Sequence, residues 1–375
     1  MQLLKLKTRV SKFDTFSNFA KEFTLSDKDL VITQDFLYEP FMKELNLPCH
    51  FIMQEKFGNG EPSDEMMNQI LSEARKVDYN RVIAVGGGTV IDIVKLFVLK
   101  DVENVTAAFE RKIPIQKDKV LVIVPTTCGT GSEVTNISIA EIKAKHTKMG
   151  LADDALLADD AVLIPELLKG LPYKFYLYSA IDALIHAVES YVSPKAAQYT
   201  RLFSKEAIRI ILDVFIGIVE KGENYRFERF EDMLIASNYA GIAFGNAGVG
   251  AVHALSYPLG GTCHVPHGEA NYQFFTEVFK LYFRKSPTST IQELNLLLSR
   301  GLGNKSAENS SAVYDQLDQL LGKLISKNQL HTYGMKEDDI DGFTTNVLES
   351  QQRLLANNYT PLSRDEIRDI YASLY

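Results

Sequence analysis

Short apolar segments alternate with helix-forming segments in the first half of the chain. Residues 30–33 (LVIT), 81–85 (RVIAV) and 120–124 (VLVIV) are almost continuously apolar and rich in β-branched residues. Ser63 precedes the segment DEMMNQILSEARK, whose first turn is acidic and whose last turn is basic, a charge pattern that favours a helix. Apolar strands separated by helices are typical of a parallel sheet covered on both faces. We therefore predict an α/β fold with a Rossmann-like parallel sheet for this half.

The pattern changes near residue 170. Beyond it strand signals are few, and long helical periodicities dominate, as in residues 178–192 (YSAIDALIHAVESYV) and 198–221 (QYTRLFSKEAIRIILDVFIGIVEK). A chain of 375 residues is long enough for two hydrophobic cores. We predict an α/β domain over residues 1–170 and an all-α domain over residues 171–375, with the boundary near Leu171 and Pro172.

Charge and cysteine usage narrow the classes of function. The chain has 40 Lys and Arg against 48 Asp and Glu, a formal net charge of -8, and no dense basic run. This balance gives no general attraction to nucleic acids or anionic membranes. Three widely spaced cysteines without a CxxC pair indicate free thiols in a reducing compartment. The sequence shows no signal peptide and no apolar stretch long enough to span a membrane, so we expect a cytoplasmic protein.

A glycine-rich turn follows the second apolar segment. Residues 86–92 (GGGTVID) let the backbone approach a ligand closely, and a helix that starts just after them would direct free N–H groups at a phosphate. Thr89 and Asp92 have the spacing of a helix-capping pair, and both are candidate cofactor residues. The pattern is not the GxGxxG fingerprint of dinucleotide-binding folds, so an ordinary tight strand-to-helix turn remains an alternative.

A loop rich in hydroxyl groups follows the third apolar segment. Residues 125–133 (PTTCGTGSE) could hydrogen-bond a diphosphate or an amide, although such a loop can also be a solvated turn. Its candidate cofactor residues are Thr126, Thr127, Thr130 and Ser132. Because ligands of open α/β sheets bind at the carboxyl ends of the strands, two such loops there favour a binding site. Asp35 follows the first strand, where it could accept hydrogen bonds from an adenosine ribose or simply lie in a surface turn.

Histidines and one aspartate suggest a metal site in the second half. Asp182 and His186 lie four residues apart in the apolar segment DALIHAV, so a helix would place them on one buried face. A buried aspartate needs a partner, which could be His186 alone or a metal ion that both residues share.

Two further histidines could join this pair. His253 and His267 would be about 21 Å apart on one continuous helix, but Pro258 and the glycines at 260 and 261 should break the helix and turn the chain back. The resulting set of three imidazoles and one carboxylate suits Fe²⁺ or Zn²⁺. Taken singly, each histidine could equally be a satisfied core residue or a helix cap.

Six segments in this order and spacing resemble the iron-containing (group III) alcohol dehydrogenases. They are VITQD, GNGEPSDE, AVGGGTVIDIVK, IVPTTCGTGSEVT, DALIHAVESYVS and VHALSYPLGGTCHVPHG, and they cover residues 30–275 approximately. The resemblance implies the two-domain fold shared by these enzymes and the dehydroquinate synthases, with an active site in the cleft between a dinucleotide-binding domain and a helical domain.

The resemblance also implies roles for individual residues. The metal ligands would be Asp182, His186, His253 and His267. Contacts to the diphosphate and nicotinamide of NAD(H) would come from Gly87, Gly88, Thr89, Thr126 and Thr127. Asp35 matches the acidic residue associated with a preference for NAD over NADP, and Lys148 and Leu167 fall in a region that lines the cofactor in this family.

Two positions depart from the family pattern. Many members have a histidine four residues after the third metal ligand, where this chain has Tyr257. On a helix Tyr257 would share a face with His253, and it could hydrogen-bond the substrate or relay a proton, although its ordinary pKa near 10 makes it a weak base. His264 and a chain of water molecules are alternative proton carriers. Residues 151–168 (LADDALLADDAVLIPELL) replace a shorter turn that contains an Asp-Pro pair.

Within the family, the segments SYPLGG and HVPHGE resemble the 4-hydroxybutyrate dehydrogenases. We therefore expect an enzyme that interconverts 4-hydroxybutyrate and succinic semialdehyde with NAD(H) and a divalent metal, with Fe²⁺ favoured over Zn²⁺, and that forms a homodimer or larger homo-oligomer. A dehydrogenase of another small alcohol or polyol is the main alternative. A lyase or synthase that uses NAD and a metal on the same fold, and a nucleotide-binding protein without activity, are further alternatives.

Overall fold

The computed structural model describes residues 2–145, 147–303 and 310–375. Their contacts divide into two compact units. The sheet unit is Leu6–Pro172, and the helical unit comprises the residues up to Lys5 together with Tyr173–Tyr375. The N-terminal segment joins the helical unit because the backbone N–H of Lys5 donates to Asn246 Oδ1 at 2.6 Å, and Asn246 donates back to the Lys5 carbonyl. The domain boundary predicted at residue 170 does not account for this contact between Lys5 and Asn246.

A parallel sheet of six strands forms the centre of the sheet unit, as far as its residues are described. The strands are β1 (Arg9–Lys12), β2 (Asp29–Thr33), β3 (His50–Met53), β4 (Arg81–Gly86), β5 (Val120–Pro125) and β8 (Asp160–Leu163). They are arranged in the order β1-β8-β5-β4-β2-β3, and all neighbouring pairs are parallel. This confirms the predicted Rossmann-like architecture. β6 (Ile137–Ile142) and β7 (Thr147–Ala152) form a separate antiparallel pair that the sequence analysis did not predict.

Alternating side chains of the central strands form two hydrophobic cores. On one face Ile32 and Val82 pack with helices α3 (Asp64–Ala74), α4 (Gly88–Leu96) and α5 (Val105–Phe109). On the other face Val31 and Ile83 pack with α1 (Phe16–Glu22) and α2 (Asp35–Phe41). Both cores are buried, which explains why the central residues of β2, β4 and β5 are almost all apolar. The hydroxyl of Ser63 accepts a hydrogen bond from the backbone N–H of Met66, so α3 begins where the sequence predicts.

The carboxyl ends of β2, β4 and β5 lie side by side. β4 pairs with β2 on one side and with β5 on the other, and Gly86 at the end of β4 is in register with Pro125 at the end of β5. The segments that follow these strands therefore emerge at one edge of the sheet, which we call the cofactor edge. It comprises Gln34 and Asp35, residues 87–89 and residues 126–132.

The helical unit is built from helices wherever its residues are described. They are α6 (Tyr173–Val192), α7 (Gln198–Lys221), α8 (Phe230–Ala247), α9 (Ala251–Cys263), α10 (His267–Lys285), α11 (Thr290–Gly301), α12 (Ala312–Leu324), α13 (Asp339–Ser350), α14 (Gln352–Leu355) and α15 (Arg364–Leu374). α6 is buried from Tyr176 to Val192 except at Ser179, and packs against α7, α8 and α10. In the described part of the chain, no helix combines the length and apolar character required to cross a membrane.

Candidate metal centre and cofactor site

Four side chains converge in the helical unit. Asp182, His186, His253 and His267 each offer one ligand atom, and these four atoms lie within 4.8 Å of one another. The first three residues are between 2% and 4% exposed, whereas the side chain of His267 is 36% exposed. The cluster is therefore buried on three sides and accessible beside His267.

The carboxylate of Asp182 lies at the centre of the cluster. It is one turn before His186 on α6, and its Oδ2 is 3.8 Å from Nδ1 of His186. Its Oδ1 is 3.8 Å from Nε2 of both His253 and His267. The i, i+4 spacing read from the sequence accounts for the approach of His186, whereas His253 and His267 reach the same carboxylate from α9 and α10.

A sharp reversal of the chain brings His267 beside His253, but it occurs later than the sequence suggests. α9 continues through Pro258 and both glycines to Cys263, so the predicted break at Pro258 is wrong. Pro258 is buried with its neighbours Leu255 and Leu259, and this packing outweighs the backbone hydrogen bond that proline cannot make. The chain turns instead at His264, whose φ of 55° is left-handed, and α10 begins at His267.

A glycine allows the start of α10 to approach α6 closely. A Cβ atom at Gly268 would lie 2.4 Å from the carbonyl oxygen of Tyr178, which is far closer than non-bonded atoms pack. Tyr178 is one turn before Asp182 on α6. The absence of a side chain at position 268 therefore sets the separation between His267 and Asp182.

Glu189 orients one of the histidines. Its Oε2 is 2.6 Å from Nδ1 of His253, and its Oε1 accepts the backbone N–H of Val252 at 2.7 Å. Because a carboxylate accepts the Nδ1–H, the lone pair of Nε2 is directed into the cluster. Glu189 is not among the residues predicted from the sequence, although its position seven residues after Asp182 on the same buried helix was a usable signal.

Asn271 supports the opposite side of the cluster. Its Nδ2 donates to Asp182 Oδ1 at 2.8 Å and lies 3.1 Å from Nε2 of His267. Asn271 is fully buried and lies one turn after His267 on α10. Asn271 is likewise not among the residues predicted from the sequence.

The electrostatics of the cluster suit a cation. Burial alone would raise the pKa of Asp182, but the three nearby histidines and the Asn271 hydrogen bond outweigh it and lower this pKa below its ordinary value. Nε2 of His186 lies 3.0 Å from Nε2 of His253, so two imidazole nitrogens are directed at the same point. A divalent iron or zinc ion fits this set of three nitrogens and one carboxylate oxygen.

The two candidate proton carriers, Tyr257 and His264, lie in different surroundings. The ring of Tyr257 is 6.2 Å from the ring of His267, centroid to centroid, and Tyr257 is one turn after His253 on α9. His264 is exposed at the end of α9, and the cluster found among the described residues does not include it.

The two predicted cofactor loops pack against each other at the cofactor edge. Gly87 is the N-cap of α4 and Gly88 its first residue. Cβ atoms at these positions would lie 3.2 Å and 3.1 Å from the methyl groups of Thr127 and Thr130 respectively. The backbone N–H of Thr126 donates to the carbonyl of Gly86 at 3.1 Å. The glycines therefore allow close contact between the loops as well as access for a ligand.

The predicted capping pair is not formed. α4 begins at Gly88, so Thr89 lies within its first turn, and the Thr89 hydroxyl donates to the carbonyl of Gly60 at 3.0 Å. The Asp92 carboxylate instead accepts hydrogen bonds from the Ser132 hydroxyl and the backbone N–H of Ile139, both at 3.2 Å. The predicted capping pair of Thr89 and Asp92 is wrong because α4 starts before Thr89, so the Thr89 side chain cannot cap the helix.

A buried lysine joins the two loops beneath the cofactor edge. Lys95 is fully buried, and its Nζ donates to Ser132 Oγ at 2.8 Å, Thr135 Oγ1 at 3.1 Å and the Ile137 carbonyl at 2.7 Å. Burial lowers the pKa of Lys95 to about 8 and raises the pKa of Asp92 to about 6. Lys95 is not among the residues predicted from the sequence, because a charged residue in an apolar helix is detectable from sequence but its partners are not.

Two family models cover nearly the whole chain. The model described as iron-containing alcohol dehydrogenase matches residues 8–165, and that of the Fe-containing alcohol dehydrogenase family, C-terminal, matches residues 176–375. The chain belongs to the iron-containing alcohol dehydrogenase family. It is therefore an oxidoreductase that acts on a small-molecule alcohol or its carbonyl counterpart.

Individual relatives agree with this membership. The 4-hydroxybutyrate dehydrogenase of Clostridium kluyveri is 56% identical over 375 residues, which is the full length of both chains. Long-chain-alcohol dehydrogenase 1 of Geobacillus thermodenitrificans is 34% identical over 84% of this chain and 80% of that protein.

Solved structures share the fold of this iron-containing alcohol dehydrogenase. A crystal structure of 1,3-propanediol oxidoreductase has a TM-score of 0.85 at 22% identity and covers all of both chains. The sulfoacetaldehyde reductase of Bifidobacterium kashiwanohense, solved in complex with NAD⁺, has a TM-score of 0.85 at 21% identity and covers 100% and 99% of the two chains. At these identities the likeness shows the fold alone.

The remaining candidate residues of the dehydrogenase lie in different environments. Asp35 is exposed as the first residue of α2, directly after β2. Lys148 on β7 forms an ion pair with Glu61. Leu167 is 1% exposed and packs in the core that contains Val85, so its side chain contributes to the interior of the sheet unit.

Proposed function

We propose that the chain is a metal-dependent 4-hydroxybutyrate dehydrogenase that interconverts 4-hydroxybutyrate and succinic semialdehyde with NAD(H). The observation that carries this proposal is the 56% identity over the whole length of both chains to the Clostridium kluyveri enzyme of that name. Identity of this extent without truncation covers both the sheet unit and the helical unit. The substrate is thus proposed from a relative, whereas the chemistry follows from the two candidate sites.

The metal would be held by Asp182, His186, His253 and His267. We propose Fe²⁺ over Zn²⁺, since the family is named for iron and the donor set suits both ions. When bound, the metal supplies a Lewis acid for the oxygen that is alternately an alcohol and a carbonyl. The chain's own contribution is to position the Asp182 carboxylate through the hydrogen bond from Asn271 and to orient His253 through Glu189.

The cofactor would bind at the cofactor edge. NAD(H) supplies the hydride chemistry, and the chain supplies alignment. Support comes from two loops at the carboxyl ends of neighbouring parallel strands, where ligands of open α/β sheets bind. The residues proposed for direct contact are Asp35, Gly87, Gly88, Thr89, Thr126, Thr127 and Thr130.

Four other candidate residues are assigned supporting roles. Asp92 and Ser132 are bonded to each other and, through Ser132, to Lys95, so we propose that they fix the shape of the loops. Lys148 forms an ion pair with Glu61, so we propose that the two residues line the cofactor site as a pair. For Leu167 the supporting role is to pack the core beneath the sheet edge.

Tyr257 is the proposed carrier of the alcohol proton within the helical unit. It is half-buried on the helix that carries His253, and its ring lies beside that of His267. His264 is a second candidate, which its exposure makes suited to proton exchange with solvent rather than to contact with the cluster.

Another small alcohol or polyol is the second candidate for the substrate. The observation in its favour is that relatives at lower identity carry other names, among them the 1-propanol dehydrogenase of Salmonella typhimurium, 33% identical over 59% of this chain. We also propose a homodimer or larger homo-oligomer, and a cytoplasmic location, which is supported by the absence of a disulfide among the three described cysteines.

A spectrophotometric assay at 340 nm tests the function. Protein reconstituted with Fe²⁺ or Zn²⁺ would receive NADH with succinic semialdehyde, propanal or dihydroxyacetone in parallel. We expect NADH oxidation to be fastest with succinic semialdehyde. Faster turnover of propanal or dihydroxyacetone would support a dehydrogenase of this family that acts on a different substrate. No turnover with any of them by a protein that binds metal and NAD would favour a lyase or synthase.

A further inference from the structure

Glu55 lies beside Asp35 because the pairing of two strands continues beyond their ends. β2 and β3 are parallel, and their last paired residues are Thr33 and Met53. The next residues, Gln34 and Gln54, are joined by a hydrogen bond of 3.1 Å between their side chains. One position further, the backbone N–H of Asp35 donates to Oε1 of Glu55. Two carboxylates therefore occupy matching positions just beyond the ends of neighbouring strands, and Glu55 lies next to the cofactor edge.

The two carboxylates differ in their exposure. Asp35 is exposed at the start of α2. Oε2 of Glu55 is covered from solvent and has no hydrogen-bond partner among the described residues. A charge that is shielded from water is screened less than an exposed one, so its field extends further into the space at the end of the strands.

We infer that Glu55 is a second specificity-determining residue, which acts with Asp35 to select NAD(H) against NADP(H). The inference rests on the proposed use of NAD(H) at the cofactor edge. An acidic side chain at the end of the second strand of such folds accepts hydrogen bonds from the adenosine ribose, and NADP differs there by a 2′-phosphate. A phosphate that approached Asp35 would meet the negative charge of Glu55 as well.

A purely structural role of Glu55 predicts something different. Its Oε1 supports the turn between β2 and α2 by accepting the Asp35 N–H, and a glutamine side chain could accept the same hydrogen bond. Glu55→Gln therefore removes the charge and retains the support. If Glu55 served only to hold the turn, this substitution would leave the choice of nucleotide unchanged.

The test measures the dissociation constants of NAD⁺ and NADP⁺ by isothermal titration calorimetry. Wild-type protein would be compared with Asp35→Asn, Glu55→Gln and the double variant. We expect each single substitution to tighten NADP⁺ binding by about fivefold and the double variant by about 20-fold. Glu55→Gln should change NAD⁺ binding by less than about threefold, whereas Asp35→Asn should also weaken NAD⁺ binding because it removes a charged acceptor of the ribose hydroxyls. The ratio of kcat/KM for NADPH and NADH should shift in the same direction.

Glu39→Gln is the matched control. Glu39 is exposed one turn after Asp35 on α2, where it pairs with Lys43, and its substitution changes the net charge by the same amount. An equal effect of Glu39→Gln would overturn the inference, because a general change of charge would then explain the result.

The remaining outcomes separate this inference from the proposed function. If Asp35→Asn relaxes the selectivity and Glu55→Gln does not, Glu55 has no part in it and the NAD(H) site stands. If neither substitution has an effect, the position of the ribose and the inference are both wrong. If the wild-type protein binds neither nucleotide, the proposed use of NAD(H) fails, and the inference fails with it.

Discussion

In the helical unit the candidate site consists of side chains that converge on one point, whereas in the sheet unit it consists of loops that lie over a buried charge. The metal cluster brings Asp182 and three histidines within 4.8 Å of one another. The cofactor edge places glycines and hydroxyl groups at the ends of paired strands, with Lys95 beneath them. The first site should therefore depend on individual ligand atoms, and the second on the shape that a few hidden contacts maintain.

Removal of the charge at the centre of the cluster should have the largest effect. We expect Asp182→Asn to lower metal content to background and to reduce kcat/KM for succinic semialdehyde by more than about 100-fold, since Asp182 is the one anionic member of the set. Metal analysis by mass spectrometry and the NADH assay would measure both. Asp369→Asn, at an exposed position of α15, is the matched control and should change neither quantity. Retention of metal by Asp182→Asn would exclude this aspartate as a ligand.

Lys95→Met tests whether the buried lysine beneath the cofactor edge stabilises the sheet unit and its loops. The substitution removes three hydrogen-bond donations and leaves the Asp92 carboxylate without its buried cation. We expect a loss of about 3 kcal/mol in the free energy of unfolding, measured with urea, and weaker NAD⁺ binding. Lys100→Met changes the same residue type at an exposed position after α4 and should be nearly neutral. A loss of less than about 1 kcal/mol would mean that Lys95 does not hold the loops.

The same lysine should give the sheet unit a distinctive dependence on pH. Burial lowers the pKa of Lys95 to about 8, below its ordinary value of 10.5 in the unfolded chain. Between these values the unfolded state binds more protons than the folded state, so the contribution of Lys95 to stability rises with pH. We expect the difference in unfolding free energy between wild type and Lys95→Met to grow by about 2 kcal/mol from pH 8 to pH 9.5. A constant difference would show that the ammonium group is not destabilised by burial.

The sequence predicted the parts of both sites that have a local signal. Strands β2, β4 and β5 are apolar because both of their faces are buried, and the i, i+4 spacing of Asp182 and His186 follows from helix geometry. The turn at His264 was misplaced because the burial of Pro258 within α9 overrides the local preference of proline.

Partners that are distant in the sequence had no comparable signal. Glu189 meets His253 across 64 positions, and Lys95 meets Ser132 across 37. Only the packed structure shows which buried polar group each of them satisfies. The four-residue strands β1, β3 and β8 were missed for a related reason: their pairing with neighbours defines them more than their composition does.

Glu189→Gln tests whether Glu189 orients a metal ligand, a role that should affect the site less than loss of the ligand Asp182. The amide can still meet Nδ1 of His253 or the backbone N–H of Val252, but it removes the negative charge that makes the imidazole a better ligand. We expect metal affinity to fall about tenfold and activity to recover at saturating metal. No such recovery is expected for Asp182→Asn. Unchanged metal affinity would leave Glu189 with a purely structural role.

Gly87→Ala should have the smallest effect and tests how much of the cofactor edge depends on bare backbone. The φ of Gly87 is -79°, which alanine adopts without strain, and the new Cβ would lie 3.2 Å from the methyl group of Thr127. Because the half-buried threonine can move by a few tenths of an ångström, we expect a loss of under about 1 kcal/mol in stability and about threefold weaker NAD⁺ binding by calorimetry. Gly170→Ala is the control, since its Cβ would meet no atom within 4 Å. Unchanged NAD⁺ affinity in Gly87→Ala would place the cofactor away from this turn, whereas abolished binding of a stably folded variant would mean that the ligand contacts the backbone of Gly87 directly.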